Sequence, residues 1–168
     1  MRSTLIALIV TYGLANFGNL AWSEESKTIN HGMLQKPVLD LNTALKLVDA
    51  ARAYAASHGW PCAISVVDDG GWTLAQVRMD GAPVVAGVDL AHGKARTAAL
   101  FKRPSDDLEK AINGGRMAVV TAGLVMLKGG RPVMETGHVV GALGISADTP
   151  AHDDEIALAA LAATGHDR

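Results

Sequence analysis

Residues 62–79 carry the sequence CAISVVDDGGWTLAQVRM, in which two β-prone segments enclose a short turn rich in Asp and Gly. The first segment spans residues 62–67, the turn spans 68–71 and the second segment spans 72–79. Two such segments around a turn of a few residues are typical of a β-hairpin, whose strands pair in antiparallel fashion. The stretch therefore predicts an antiparallel hairpin in the first half of the chain.

A second hairpin is predicted further along the chain. Residues 131–135 and 139–146 are β-prone, and the turn residues 136–138 separate them. Helical patterns precede, separate and follow the two hairpins. This order favours an α/β protein of the α+β type, with helices packed on an antiparallel sheet, over a parallel doubly wound sheet.

Apolar residues at spacings of three and four predict the helices. The first helix begins at Leu41, is capped by Asp40 or Asn42, and ends at His58 because Gly59 follows it. Its apolar residues form one stripe along the helix.

The later helices are less uniform. Pro83 falls in the first turn of a second helix, and Ser105 is the predicted cap of a third helix that reaches about Ile112. The apolar segment 117–127 does not distinguish helix, loop and strand. A last helix is led by the acidic residues 153–155.

The first 23 residues have the features of an export signal. Arg2 supplies a positive charge, and the segment 5–15 is mostly apolar. Ala21 and Ser23 are small residues at the two positions before the cleavage site that a signal peptidase recognises. Cleavage after Ser23 predicts a periplasmic or secreted protein without a stable membrane anchor. An uncleaved anchor is the alternative, although the second half of the segment contains Asn and Gly.

The remaining sequence predicts a polar N-terminal arm over residues 24–40 and one domain over residues 41–168. The formal net charge is −2 and no block of Lys or Arg occurs, so nucleic acid is excluded as an expected partner. Cys62 is the only cysteine, so no disulfide can form within one chain, and we expect a buried thiol. No glycine-rich segment has the spacing of a nucleotide phosphate loop.

Several motifs follow one another over most of residues 41–165. They are VVDDGG at 66–71, RMDGA at 78–82, DLAHGKARTA at 89–98, NGGR at 113–116, GGRPV at 129–133, VVGALGIS at 139–146 and DDEIA at 153–157.

In these motifs the chain resembles the GlcG/HbpS haem-binding family, which also includes the C-terminal domain of PduO-type proteins. The resemblance implies a profilin-like sandwich, assembly into homo-oligomers, and binding of haem or a related tetrapyrrole. The chain departs from the family pattern after Ser146, where ADTP stands at 147–150.

A haem site needs an axial ligand, apolar walls and often a cation for the propionates. Among six histidines we favour His92 as the iron ligand, because Asp89 can orient its imidazole and Arg96 can meet a propionate. The alternative is a surface histidine in a solvated strip of polar residues.

Lys94 and Arg116 are further candidates for anion contacts. Lys94 and Arg96 together can bind a small carboxylate, and Arg116 follows a Gly-Gly pair. The other histidines have local explanations as arm, helix-end, turn, capping or terminal residues: His31, His58, His138, His152 and His166. No C-x-x-C-H motif occurs, which excludes covalent haem attachment.

Three functions follow as hypotheses. The first is an exported haem-binding protein for sensing, storage or delivery. The second is an enzyme, either one that degrades haem with peroxide or one that acts on a small hydroxy acid. The third is a noncatalytic oligomeric accessory protein. Only four aromatic residues follow position 23, namely Tyr54, Trp60, Trp72 and Phe101. This low number either weakens the haem hypothesis or places the haem site between subunits.

Overall fold

The described part of the chain is a sandwich in which helices cover both faces of one antiparallel sheet. The structure, a computed structural model, describes residues 35–167. The predicted signal peptide, and residues 24–34 of the predicted arm, lie outside the described residues. The elements are α1 Leu41–His58, β1 Ala63–Asp68, β2 Thr73–Arg78, α2 Gly87–Phe101, α3 Ser105–Asn113, a 3-10 helix Met117–Ala122, β3 Gly130–Glu135, β4 His138–Ser146 and α4 Pro150–Thr164.

The sheet has the strand order β2-β1-β4-β3, and each neighbouring pair is antiparallel. This topology confirms the predicted α+β fold with helices packed on an antiparallel sheet. Among residues 35–167, none of the helices combines the length and apolar character that a bilayer crossing needs.

Helix α1 begins and ends where the sequence predicts. The Asp40 carboxylate accepts a hydrogen bond from the Thr43 backbone N–H at 2.7 Å, which caps the first turn. Gly59 follows the last turn in the left-handed conformation, with φ of 70°. Local capping residues therefore set both ends of this helix.

Both predicted hairpins are confirmed. In the first, the Asp68 carboxylate accepts hydrogen bonds from the backbone N–H groups of Gly70 and Trp72, each at 2.9 Å. In the second, Thr136 and Gly137 have φ of 46° and 78° and form a two-residue turn. Positive φ at both central residues is typical of the tight turn whose twist matches a hairpin.

The two faces of the sheet bury different kinds of residue. Large aliphatic side chains such as Ile64 and Leu143 pack with α1 and α4 on one face. On the other face, Val67 and Ala142 meet the alanines of α2. Successive side chains of a strand point to opposite faces, so β1 and β4 are buried on both sides.

Helix α2 lies directly on the sheet because two glycines face it. Gly130 and Gly144 are cross-strand partners. A Cβ atom on Gly144 would overlap the carbonyl oxygen of Ala91, and one on Gly130 would overlap the carbonyl oxygen of Lys94. No side chain can therefore stand between α2 and this part of the sheet.

Two predicted helix starts are wrong. Helix α2 begins at Gly87 rather than near Pro83, because Gly87 packs against Ala63 and Ser146 of the sheet. Ser105 does not cap α3, since its hydroxyl donates to the Leu127 carbonyl oxygen and accepts from the Gly130 N–H. In both cases a tertiary contact overrides a local signal.

The ambiguous segment 117–127 forms the 3-10 helix and an adjoining loop. The packed region also begins before residue 41. Leu39 is buried against Gly141, and its N–H donates to the Val140 carbonyl oxygen at 3.0 Å. The end of the predicted arm is thus part of the folded domain.

Replacing Gly144 by Ala should lower the free energy of unfolding by about 3 kcal/mol, because the new methyl group forces α2 away from the sheet. Gly137→Ala is the control: its Cβ would meet no atom within 4 Å, so only the left-handed backbone costs energy, about 1–2 kcal/mol. Urea unfolding measures both. Equal losses would contradict the close packing of α2.

Candidate functional site

His92 lies midway along α2 and is partly buried where the helix meets the start of β2. Its Nδ1 is 3.2 Å from the Thr73 hydroxyl oxygen. When Nδ1 carries the proton and donates to this oxygen, Nε2 presents its lone pair. A hydrogen bond of this kind orients an imidazole for metal binding.

Arg96 follows His92 by one helical turn and lies beside an exposed indole. Its guanidinium carbon is 5.7 Å from the ring centroid of Trp72, within the range of a cation–π contact. Trp72 is 68% exposed at the end of the first hairpin turn. We call the patch formed by Thr73, His92, Arg96 and Trp72 the His92 surface.

Asp89 does not have the predicted role of orienting His92. It is exposed in the first turn of α2, and no hydrogen bond joins it to His92 among the described residues. Thr73 makes the contact instead. Thr73 could not be predicted as a partner of His92, because the two residues are 19 positions apart in the chain and the sequence around Thr73 contains no ligand motif.

Lys94 is not part of the His92 surface, contrary to the sequence-based grouping. It is 3% exposed, and its Nζ donates to Asp153 Oδ2 at 2.5 Å and to the Ile145 carbonyl oxygen at 3.0 Å. Two residues along a helix correspond to a rotation of about 200°. Lys94 therefore points into the protein, while His92 points toward β2.

The ion pair of Lys94 and Asp153 joins α2 to the first turn of α4. Burial raises the pKa of the Asp153 carboxyl, whereas Lys94 and the Ala147 N–H lower it by stabilising the carboxylate. Removing either partner would leave a buried charge without compensation. The pair thus contributes to holding helices from the two faces of the sheet together.

Arg116 lies apart from these residues. It is exposed and precedes the 3-10 helix. Within residues 35–167, no hydrogen bond or ion pair connects its side chain with α2. The structure does not bring this candidate anion contact to His92.

The other described histidines fall into two groups. His58 and His152 each stack on the Trp60 ring, with centroid separations of 4.8 and 3.7 Å. His138 is exposed at the second hairpin, and His166 Nε2 lies 3.5 Å from a carboxylate oxygen of Glu135. His31 lies outside the described residues.

Asp153 and Asp154, which lead the last helix, do not cap it. Thr149 caps the helix by accepting from the His152 N–H, while Asp153 and Asp154 bind Lys94 and Arg131. Among the described residues, no group of three His, Cys, Asp or Glu side chains is placed to hold a metal ion.

Cys62 is buried, as predicted. Its Sγ lies 3.8 Å from the Met79 sulfur atom. Burial, together with the negative charge of Asp153, raises the pKa of the Cys62 thiol to about 12. The thiol is therefore protonated at neutral pH and is a weak nucleophile.

The fold and these contacts define a small α+β domain whose central helix presents an imidazole and a guanidinium beside an exposed indole. The match to known families extends over most of the chain. The chain belongs to the family described as "Haem degrading protein HbpS-like", whose model matches residues 39–162. This confirms the resemblance stated from the sequence motifs.

Individual relatives agree with this assignment. Protein GlcG of Escherichia coli (strain K12) is 42% identical over 116 residues, which cover 68% of this chain and 85% of GlcG. A crystal structure of a Streptomyces reticuli HbpS double mutant has a TM-score of 0.74 at 27% identity, covering 97% of this chain and all of the HbpS chain. The crystal structure of a PduOC:heme complex has a TM-score of 0.68 at 29% identity, covering 75% and 94% of the two chains.

Replacing Lys94 by Met should lower the free energy of unfolding by about 3–5 kcal/mol, since the Asp153 carboxylate would be buried without its cation. Without Lys94 the pKa of Asp153 should rise further. Because a raised pKa in the folded state favours the protonated form, the loss should be larger at pH 8 than at pH 5. Denaturant unfolding at both pH values measures it.

Two further variants complete this experiment. Lys94→Met combined with Asp153→Asn should recover most of the lost stability, because no net charge then remains buried. Arg52→Met is the control, since the Arg52 side chain is 53% exposed and pairs with Asp49, whose side chain is 74% exposed. Its loss should stay below about 1 kcal/mol; a loss as large as that of Lys94→Met would contradict the assigned role.

Proposed function

We propose that this chain is an exported haem-binding protein, used for sensing, storage or delivery, in which His92 ligates the iron. The proposal depends on the His92 imidazole of α2, whose Nδ1 contacts the Thr73 hydroxyl of β2. Membership of the HbpS-like family and the similarity to a domain crystallised with heme support the choice of ligand.

The residues of the His92 surface match the chemistry of haem. Imidazole nitrogen is a common axial ligand of haem iron. Arg96 supplies a cation one turn away for a propionate, and the Trp72 indole offers an apolar ring beside it. Bound haem would supply a redox-active iron; the side chains of this chain would hold and orient it.

One copy of the chain covers only one face of such a ligand. Leu100 lies near Gly71 and Arg96 and is 42% exposed, and Trp72 is more exposed still. A flat apolar molecule on the His92 surface would therefore leave its other face in water. We propose that a second copy covers that face, so that binding and homo-oligomer formation support each other.

The export step of this proposal comes from the sequence of residues 1–23. Their charged start, apolar segment and small residues before position 24 match a signal peptide. The mature protein would then meet haem in a periplasm or outside the cell. Mass spectrometry of the secreted chain, with Glu24 as the expected first residue, tests this step.

Oxidative degradation of haem is a second candidate function, favoured by the description of the family. It predicts that hydrogen peroxide bleaches the Soret band of the protein–haem complex, and releases iron, faster than from free haemin. Bleaching at the rate of free haemin would support a binding role alone. The alternative of an enzyme that acts on a small hydroxy acid has less support. It needs Lys94 to bind the substrate carboxylate, but Lys94 already forms an ion pair with Asp153.

Titration of the purified protein with haemin should give a Soret shift at a defined stoichiometry. His92→Ala should weaken this binding at least about tenfold, since the axial ligand is lost. Thr73→Val should weaken it less, because only the orienting hydrogen bond is removed. Absorption spectra and affinities of the three proteins are compared.

His138→Ala provides the matched control, because His138 is an exposed histidine on the second hairpin. It should bind haemin as the unchanged protein does. If His92→Ala retains the same Soret position and affinity, or if His138→Ala loses as much, the iron ligand has been misassigned.

A further inference from the structure

A groove at the C-terminal end of α2 is separate from the His92 surface. It has a volume of about 290 Å³ and lies between the residues that follow α2, the edge strand β3 and helix α4. Apolar side chains form its walls: Pro104, Pro132, Met134, Leu158 and Leu161. Leu158 belongs to α4 and is 44% exposed.

Basic side chains line the same groove. Arg131 is neutralised, because its Nε and Nη2 donate to the two carboxylate oxygens of Asp154 at 2.6 and 2.7 Å. Lys102 and Arg103 are exposed, and their side chains form no hydrogen bond or ion pair within residues 35–167. Asp167 also lines the groove. Lys102 and Arg103 therefore place two positive charges at the rim of the groove.

The backbone at Lys102 is an exception among the helix ends of this protein. Lys102 follows α2 in the left-handed conformation with φ of 54°, whereas Gly59 and Gly165 occupy the same position after α1 and α4. The left-handed conformation costs a residue with a Cβ about 1–2 kcal/mol of conformational free energy. A lysine at this position places a cation at the groove, and it also interacts favourably with the helix dipole.

We propose that this groove binds a small amphipathic carboxylate, such as a medium-chain fatty acid. The apolar chain would lie against the proline, methionine and leucine walls, and the carboxylate would contact Lys102 and Arg103. The volume is at the low end for small-molecule sites, about 300–1,000 Å³. This suits a single alkyl chain better than a tetrapyrrole.

The inference does not rest on haem binding. Lys102 follows His92 by ten residues, which corresponds to about 15 Å along the helix axis. The two sites can therefore be altered independently. Loss of haemin binding in His92→Ala would leave the groove as it is.

Decanoate is the probe, and isothermal titration calorimetry on the haem-free protein measures its affinity. Arg103→Glu and Leu158→Glu should each weaken binding at least about tenfold, because one reverses a rim charge and the other puts a carboxylate on the apolar wall. Decanol should bind more weakly than decanoate, and Arg103→Glu should remove this difference.

Two controls make the assignment specific. Lys46→Glu reverses an exposed charge on α1 and should leave the decanoate affinity unchanged. His92→Ala should also bind decanoate normally. The proposal would be overturned if the protein did not bind decanoate, or if decanol bound as tightly as decanoate. It would also be overturned if both groove variants kept the decanoate affinity, or if His92→Ala lost it.

Discussion

The contact between helix α2 and the sheet determines most of what this domain presents to its surroundings. At the cross-strand pair Gly130 and Gly144, the helix backbone rests on the strands without an intervening side chain. Such close packing fixes the rotation of α2 about its own axis. As a result His92 and Arg96 emerge beside β2, and Lys94 is directed into the interior.

The orientation of α2 explains why residues close together in one motif contact different parts of the protein. His92 and Lys94 belong to the same stretch of sequence, yet the first contacts a hydroxyl on β2 and the second forms a buried ion pair with α4. The alanines of α2 fill the narrow space against Val67 and Ala142. Helix α2 thus packs on the sheet through its alanines, forms an ion pair with α4 through Lys94, and contributes His92 and Arg96 to the His92 surface.

Local chemistry made part of this structure predictable. The ends of α1 depend on the Asp40 cap and the Gly59 stop, and both hairpins depend on turn residues that lie next to each other in sequence. The start of α2, the bonding of Ser105 and the pairing of Thr73 with His92 depend on residues far away in the chain. For the same reason, helical spacing grouped Asp89 with His92 on one side of α2 but could not show that Thr73 would contact the imidazole.

Strand β3 forms one border of the sheet, and its composition limits how copies of the chain can join. Pro132 has no N–H to donate, and the strand register is irregular between Val133 and Met134. Both features discourage another strand from extending the sheet across this border. A contact between copies of the chain at this border would therefore join side chains rather than pair strands.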